Sequence, residues 1–221
     1  MPPVLSDLVT IESFLRVRLN EPLPGADVQR RFAPRPPYEG WAPDLVPETA
    51  RKAAALILLY PGAAGPTLPL TMRRHDLPHH PGQISFPGGA IDNGEAPVDA
   101  ALREAHEEIG IERDSVRIVG ALSSFFVIVS NFVVYPFVGV TDTRPDFRPH
   151  AGEVEEVLEA PVQVLLDRTR CGWERRPREN IIVDLPYLTT GSHIVWGATA
   201  MILGELGALF DERFGPPDLN R

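Results

Sequence analysis

Three glutamates stand on one side of a predicted helix in the middle of the chain. Glu104, Glu107 and Glu108 follow the spacing i, i+3 and i+4, so their carboxylates project from a common face when the segment is helical. The opposite side carries the apolar stripe expected of a packed helix. Its residues are Val98, Ala101, Leu102, Ala105 and Ile109. The segment therefore predicts a helix with one apolar and one acidic face.

The acidic face is costly unless its charge is compensated. Like charges at i+3 and i+4 repel, and acids in a last helical turn oppose the helix dipole, each effect being worth roughly 0.3 to 1 kcal/mol. A divalent cation reverses both effects, and Mg2+ or Mn2+ prefers carboxylate oxygens, often together with substrate phosphates. The spacing therefore indicates a metal site, with a solvated acidic helix face as the alternative.

The residues around this helix resemble a known motif. Gly89 is followed after five residues by Glu95, and after seven more by Arg103-Glu104-Ala105-x-Glu107-Glu108-x-Gly110-Ile111. This pattern resembles the Nudix box, the signature of hydrolases that cleave a nucleoside diphosphate linked to another group. The resemblance implies Mg2+ or Mn2+ as the cofactor. By position in the motif, the metal ligands are Glu104 and Glu108, with Glu107 as a further ligand or water-holder and the Gly89 carbonyl as a contributor.

The same resemblance implies metal-assisted hydrolysis, in which water attacks one phosphorus of a diphosphate. Arg103 is expected to orient a neighbouring glutamate through a bidentate ion pair. The general base has two candidates, Glu104 and Glu153, because the sequence does not give the distance from a carboxylate to the attacking water. Glu153 could instead be a late metal ligand, or an acid near the N-terminus of a helix beginning over 154–158.

A second motif precedes the box at residues 68–89. It resembles the element found ahead of the box in coenzyme A diphosphatases of the Nudix superfamily. Its elements are Leu70-Thr71-x-Arg73, Leu77, His80, Gly82, Phe86 and Pro87-Gly88-Gly89. From this resemblance we expect substrate binding by Arg73, His80, Gly82, Phe86 and Gly88.

This stretch is also densely cationic, because Arg74, His75 and His79 lie in it as well. Arginine binds phosphate bidentately, and coenzyme A carries a 3'-phosphate besides its diphosphate. The alternative is a solvated polar turn, which we favour for His75 and His79 individually. Two differences from the family pattern affect the substrate prediction: Arg74 stands where many members have serine, and residues 125–131 differ from a glycine-containing loop.

Three functions follow from these motifs. The resemblance, which spans roughly residues 50–207, favours a diphosphatase that converts coenzyme A or acyl-CoA to 3',5'-ADP and (acyl-)4'-phosphopantetheine. A second hypothesis is a Nudix pyrophosphatase acting on ADP-ribose, NADH or a dinucleoside polyphosphate. A third is a noncatalytic nucleotide-binding module, which the three intact glutamates argue against.

The composition limits the partners. Thirty acidic residues against 21 Lys plus Arg give a formal net charge of -9, which disfavours binding to long nucleic acid or to an anionic membrane. We therefore expect a small-molecule, CoA-like nucleoside diphosphate as the partner, and family resemblance makes a homodimer a candidate assembly. The single cysteine, Cys171, excludes an intrachain disulfide. With neither a signal-peptide pattern nor an apolar segment of membrane length, a cytoplasmic location is expected.

Hydrophobic periodicity and turn residues predict the remaining elements. Ser6 is the expected cap of a first helix that reaches Leu19, and 20–48 reads as an extended, proline-rich connector. Further helices are predicted at 97–109 and 197–213. Strands are predicted at 53–60, 68–74, 83–86, 116–122, 124–129, 132–140, 180–184 and 193–196.

Long runs of strands interrupted by few helices indicate a mixed α/β (α+β) architecture without the alternation of a doubly wound sheet. The resemblance implies the Nudix fold, a mixed β-sheet sandwiched between helices, here with an N-terminal helical extension. We divide the chain into a helix and connector at 1–48, a hydrolase domain at 49–214, and a tail at 215–221.

Overall fold

The computed structural model describes residues 7–77 and 81–218, which contain four α-helices, three short 3-10 helices and eleven strands. The helices are α1 (Leu8–Arg18), α2 (Gly25–Arg31), α3 (Pro97–Ile109) and α4 (Gly197–Phe210). The strands are β1 (Arg51–Gly62), β2 (Gly65–Arg73), β3 (Ile84–Ser85), β4 (Gly88–Ala90), β5 (Arg117–Ala121), β6 (Phe125–Val127), β7 (Phe132–Val140), β8 (Val154–Pro161), β9 (Cys171–Arg178), β10 (Ile181–Thr190) and β11 (His193–Trp196). No helix in the described part of the chain has the length and apolarity needed to span a membrane.

Strand β1 lies at the centre of a mixed sheet. It pairs parallel with β7 and antiparallel with β2 and β4. The main path runs β3-β2-β1-β7-β5, and β6 and β8 are added by pairing with β7 and β2. The strands β9, β10 and β11 form a separate antiparallel sheet in the order β11-β10-β9. The mixed architecture predicted from the sequence is therefore confirmed.

Alternate residues of β1 face opposite layers of the molecule. Leu56 and Leu58 pack in one core cluster with Ala101 of α3, whereas Ile57 and Leu59 pack in a larger cluster that includes residues of α1, α2 and α4. Successive strand residues point to opposite faces, so the continuous apolar run is that of a strand covered on both sides. The sheet is thus sandwiched between α3 and the other helices, as the resemblance implied.

The N-terminal residues are more structured than predicted. Helix α1 is capped by Asp7, whose carboxylate accepts a hydrogen bond from the Thr10 N–H at 2.8 Å. Ser6, the expected cap, lies outside the described residues. The connector contains α2, which packs against α4, and the Phe32 that follows it is buried. The prediction of an extended connector was therefore wrong at α2. A helix of seven residues is too short to show a periodic apolar pattern in the sequence.

A buried carboxylate joins this N-terminal segment to the core. Glu205 of α4 accepts hydrogen bonds from the Gly25 N–H at 3.1 Å, the Gln29 side-chain amide at 3.1 Å and the Ser123 N–H at 3.3 Å. Burial raises the pKa of the Glu205 carboxyl, and these bonds oppose that rise. The contacts of Glu205 therefore hold α2 and the segment that precedes β6 on the same helix.

Several predicted elements differ in the structure. The helix beginning over 154–158, one of the alternatives for the surroundings of Glu153, is wrong, because this segment is strand β8, antiparallel to β2. The spacing of Val154 and Leu158 fits one face of a helix, and pairing with β2 overrides that local preference. Strand β9 was not predicted, because its arginines and proline are not typical of a strand. Strand β10 is longer than predicted and continues to Thr190, and α4 ends at Phe210 rather than at 213. Cys171 is buried in β9, where burial raises the pKa of its thiol to about 12, as expected of an inert cysteine.

Candidate active site

Helix α3 has the predicted bounds, 97–109, and lies close to the sheet. Its alanines Ala100, Ala101 and Ala105 are buried, and these small side chains let α3 pack near β1 and β4. The helix ends at Gly110, whose φ of 73° is a left-handed conformation that glycine adopts at low cost. The acidic face of α3 is thereby presented to the backbone of β4.

Two glycines of β4 allow this close approach. A Cβ added at Gly88 would collide with the carbonyl oxygen of Ala54 in the paired strand, and one at Gly89 would lie 2.5 Å from the carboxyl carbon of Glu104. The Gly88 N–H donates to Oε2 of Glu108 at 3.2 Å. The glycine pair therefore places backbone groups against two carboxylates, which larger residues would prevent.

Glu108 is the most buried acid of the motif, with 6% of its surface exposed. Its pKa is raised to about 8, chiefly by burial and further by the charges of Glu104 and Glu153, while the Gly88 N–H and the charge of Arg73 oppose the rise. Burial also raises the pKa of Glu104. The cluster is therefore costly to ionise by itself, and a nearby cation would lower that cost.

Arg103 connects the acids of the motif, as expected of an orienting residue. Its guanidinium forms a bidentate pair with Glu95, through Nε at 2.9 Å and Nη2 at 3.0 Å. Nη1 donates to Glu104 at 2.8 Å and to Glu107 at 3.2 Å, and Nη2 also donates to the Ala90 carbonyl at 2.9 Å. Arg103 thus holds Glu104 in place and is itself anchored on Glu95 and on the backbone of β4.

A pocket of about 260 Å3 lies over this acidic face, lined by Glu104, Glu107, Glu108, Glu153 and His150. Glu153 precedes β8, and the pairing of β8 with β2 brings it across from α3. Its charge raises the pKa of both Glu104 and Glu108, as expected for neighbouring acids. The structure therefore brings Glu153 next to three glutamates that lie 45 to 49 residues earlier in the sequence.

His150 was not predicted from the sequence. Its backbone N–H donates to the Glu108 carbonyl at 2.8 Å, and its own carbonyl accepts from the N–H groups of Glu153 and Val154. This turn fastens the loop before β8 to the end of α3 and places the imidazole at the pocket. Nothing in the spacing of His150 from the box could have indicated this contact.

The chemistry of these donors suits a hard divalent cation. Among the described residues, no group of three or more His, Cys, Asp or Glu side chains converges closely enough to hold a metal ion. One oxygen of Glu104 and one of Glu107 each accept a hydrogen bond from Arg103. Mg2+ commonly uses only one or two protein carboxylates and completes its shell with water and phosphate oxygens. The carboxylate oxygens, together with the raised pKa values of Glu104 and Glu108, fit such a site.

Arg73 lies beside this acidic pocket. It follows a β-bulge at the end of β2, its N–H donates to the Gln83 carbonyl at 3.0 Å, and its charge lowers the pKa of Glu108. Its Nε is buried and has no hydrogen-bond partner within residues 7–77 and 81–218. Arg73 is thus a guanidinium with unused donor capacity near the acids.

The other residues of the second motif have different surroundings. Gly82, with φ of 66°, donates its N–H to the Arg73 carbonyl at 3.1 Å and supports that arginine. Phe86 is buried in the core, so its side chain packs inside the protein instead of facing a ligand. His80, like His79, lies outside the described residues. Arg74 forms a bidentate pair with Asp76, at 2.9 and 2.8 Å.

Comparison with known proteins gives matches to one family. A family model described as NUDIX domain matches residues 50–177. The protein of Pectobacterium atrosepticum named uncharacterized Nudix hydrolase NudL is 35% identical over 175 residues, covering 77% of this chain and 89% of the relative. A protein of the same name from Enterobacter sp. strain 638 is 38% identical over 163 residues, covering 71% and 81%.

Solved structures were matched as well. RenU, a Nudix hydrolase from M. smegmatis, shares 18% identity with a TM-score of 0.49, covering 74% of this chain and 84% of that one. The NUDIX domain of Shewanella oneidensis NrtR, crystallised with ADP ribose, shares 15% identity with a TM-score of 0.42, covering 54% and 77%.

Proposed function

Because the chain belongs to the Nudix hydrolase family, we propose that it hydrolyses the diphosphate linkage of coenzyme A or acyl-CoA, with Mg2+ or Mn2+ as cofactor. The products would be 3',5'-ADP and (acyl-)4'-phosphopantetheine. The observation that supports this proposal most is the proximity of the buried acid Glu108 to Arg73, whose guanidinium keeps an unused donor in the described structure. Cation-binding and phosphate-binding groups thus lie side by side.

In this proposal Glu104 and Glu108 hold the metal, with Glu107 and the Gly89 carbonyl as further donors. When bound, the metal neutralises charge on the phosphate oxygens and lowers the pKa of bound water. Arg103 holds Glu104 in place through its Nη1 bond at 2.8 Å and anchors itself on Glu95. Arg73 donates to a nonbridging phosphate oxygen, for which its planar guanidinium is suited.

For the general base, the geometry favours Glu153 over Glu104. Glu104 is half-buried and bonded to Arg103, whereas Glu153 is exposed at the mouth of the acidic pocket. A base must reach the attacking water. Glu153 lines the pocket without a hydrogen bond to Arg103, so we propose Glu153 as the group that takes the proton from water.

One substrate panel tests the proposal. Coenzyme A, dephospho-coenzyme A, acyl-CoA, ADP-ribose, NADH and a dinucleoside polyphosphate are each incubated with Mg2+ or Mn2+, and the products are identified by mass. Hydrolysis of coenzyme A at the diphosphate, weakened by loss of the 3'-phosphate, would support the proposal. Preference for ADP-ribose, NADH or the dinucleoside polyphosphate would favour the alternative pyrophosphatase, and no turnover of any compound would favour the nucleotide-binding module.

A matched pair of variants links the activity to the pocket. Glu108→Gln keeps the size of the side chain and removes its charge, so turnover should fall by orders of magnitude. Glu155→Gln makes the same change on an exposed residue of β8 outside the pocket and should leave turnover unchanged. Near-normal activity of Glu108→Gln would reject the assignment of Glu108.

A further inference from the structure

A second pocket, which we call the aromatic pocket, lies between the N-terminal connector and the hydrolase core. Its volume is about 100 Å3. Side chains from four parts of the chain line it, among them Tyr38, Trp41, Phe126, Leu185, Trp196 and Met201. The connector therefore supplies aromatic walls to a cavity that the core alone would leave open.

Hydrogen bonds and cations hold these walls in place. The Trp41 indole N–H donates to the Phe126 carbonyl at 2.9 Å, and the Phe126 N–H donates to the Pro43 carbonyl at 2.8 Å. The Arg178 guanidinium lies 4.1 Å from the centre of the Tyr38 ring, and that of Arg176 lies 5.2 Å from the Trp196 ring. The aromatic pocket is thus built before any ligand arrives, as ligand sites usually are.

The aromatic pocket is linked to the acidic pocket through a single residue, Gln83. Its side-chain amide approaches within 3.8 Å of the Cβ position at Gly197, which lines the aromatic pocket. Its carbonyl accepts the N–H of Arg73 at 3.0 Å. Five residues after Gln83, the Gly88 N–H donates a hydrogen bond to the Glu108 carboxylate. Gln83 therefore lies next to both Arg73 and Gly197, and Gly88 lies within about 18 Å of Gln83, the most that five extended residues span.

We propose that the aromatic pocket binds the acyl group of an acyl-CoA, so that a short-chain acyl-CoA is the preferred substrate. The inference rests on the proposed function. The pantetheine arm that separates the diphosphate from the thioester is about as long as four to five extended residues, on the order of 15 Å. A substrate with its diphosphate at Arg73 and Glu108 can therefore extend its acyl end into the aromatic pocket.

The chemistry of the lining favours an acyl chain over a nucleobase. The lining is almost entirely hydrocarbon, and the Trp41 indole N–H is already bonded to Phe126. A purine would leave its ring nitrogens and amino group without partners there, which is costly, whereas a hydrocarbon chain needs none. An apolar cavity of ~150 Å3 holds the six carbons of benzene. By proportion, the aromatic pocket, with its volume of about 100 Å3, accommodates an acyl chain of about four carbons.

The test is a chain-length series measured with the unmodified protein. Values of kcat/KM are compared for coenzyme A and its acetyl, butyryl, hexanoyl and octanoyl thioesters. Each methylene buried should raise kcat/KM about fourfold, so butyryl-CoA should exceed acetyl-CoA about 15-fold. Beyond about four carbons the increase should stop, because the cavity is then filled.

A variant then assigns the effect to the aromatic pocket. Ala198 lines it, and Ala198→Leu should reduce the ratio of kcat/KM for butyryl-CoA to that for coenzyme A at least tenfold. Ala64→Leu makes the same change in the exposed turn between β1 and β2 and should leave the ratio unchanged. Thermal unfolding of both variants checks that each is folded, and the series with unmodified protein does not depend on them.

The outcomes separate the two proposals. Equal hydrolysis of coenzyme A and all its thioesters would overturn the acyl pocket and leave the proposed function standing. A chain-length preference that Ala198→Leu does not alter would also overturn the placement in the aromatic pocket. If coenzyme A and every thioester resist hydrolysis, the proposed function fails, and the acyl inference fails with it.

Discussion

Replacing Glu108 by glutamine should make the metal-free protein increasingly stable, relative to the unmodified protein, as the pH rises. Glutamine has nearly the same shape, and its side-chain oxygen can still accept the Gly88 N–H that bonds Oε2 of Glu108 at 3.2 Å. The substitution therefore removes a titrating group and keeps its packing. Any change in the pH dependence of stability then reports the ionisation of this carboxyl.

The size of the effect follows from the pKa of Glu108, which folding raises from an ordinary value of 4.5 to about 8. At about 1.36 kcal/mol per tenfold change, ionising this carboxyl in the folded protein costs on the order of 4 to 5 kcal/mol more than in the unfolded chain. Between these two pH values the folded protein retains a proton that the unfolded chain has released. The contribution of Glu108 to the stability of the unmodified protein therefore falls as the pH rises through this window.

Urea unfolding in the presence of EDTA, from about pH 5 to about pH 9, measures this dependence. The free energy of unfolding of Glu108→Gln minus that of the unmodified protein should grow by up to about 1.4 kcal/mol per pH unit and level off above about pH 8. Added Mg2+ should reverse the order, because a metal that binds only the folded state stabilises the protein that keeps the ligand.

Glu155→Gln is the control, since Glu155 is exposed on β8 and should show no such growth. A difference between Glu108→Gln and the unmodified protein that stays constant across this pH range would refute the reasoning. An unmodified protein whose stability rose between pH 5 and pH 8 relative to Glu108→Gln would refute it too. Either result would mean that the acid cluster is already compensated without a metal.

Further changes test the surroundings of the cluster. Arg103→Lys keeps the charge but loses the bidentate geometry at Glu95, so kcat should fall about 10- to 100-fold with little change in thermal unfolding. Arg73→Ala should raise KM for coenzyme A at least tenfold in steady-state kinetics, and a KM within twofold of normal would exclude Arg73 from phosphate binding. Gly88→Ala should lower the free energy of unfolding by about 1 to 3 kcal/mol, because its Cβ meets the Ala54 carbonyl oxygen; denaturant titration that shows no loss would contradict this close approach.

The acidic helix could be predicted in detail because its signals are local. Pro97 near its start, Gly110 at its end and the alternation of alanines with glutamates all lie within fourteen residues. Periodicity and capping act over this range, so α3 agrees with its predicted bounds. The pair of glycines before it is equally local, because only glycine allows β4 to lie so close to β1 and Glu104.

Sequence reasoning failed where pairing partners are distant. The segment beginning at Val154 is spaced like a helix, yet it is a strand because β2, some eighty residues earlier, supplies its hydrogen bonds. The arginine-rich β9 is a strand because β10 pairs along its whole length. Local propensity is a weak preference, and a sheet ladder formed in the tertiary structure outweighs it.

The same division holds for the candidate site. The types and spacing of Glu104, Glu107 and Glu108 were sufficient to predict one acidic helix face, since the position of these residues on the helix depends only on their local spacing. The resemblance to the Nudix box then favoured a metal site over a solvated face. Burial of Glu108, the arrival of His150 and Glu153, and the unused donor of Arg73 depend on how β8 and β2 pack beside α3. The burial of a carboxylate and its distance from other charges depend on residues that are far away in the sequence, so only the tertiary structure could determine them.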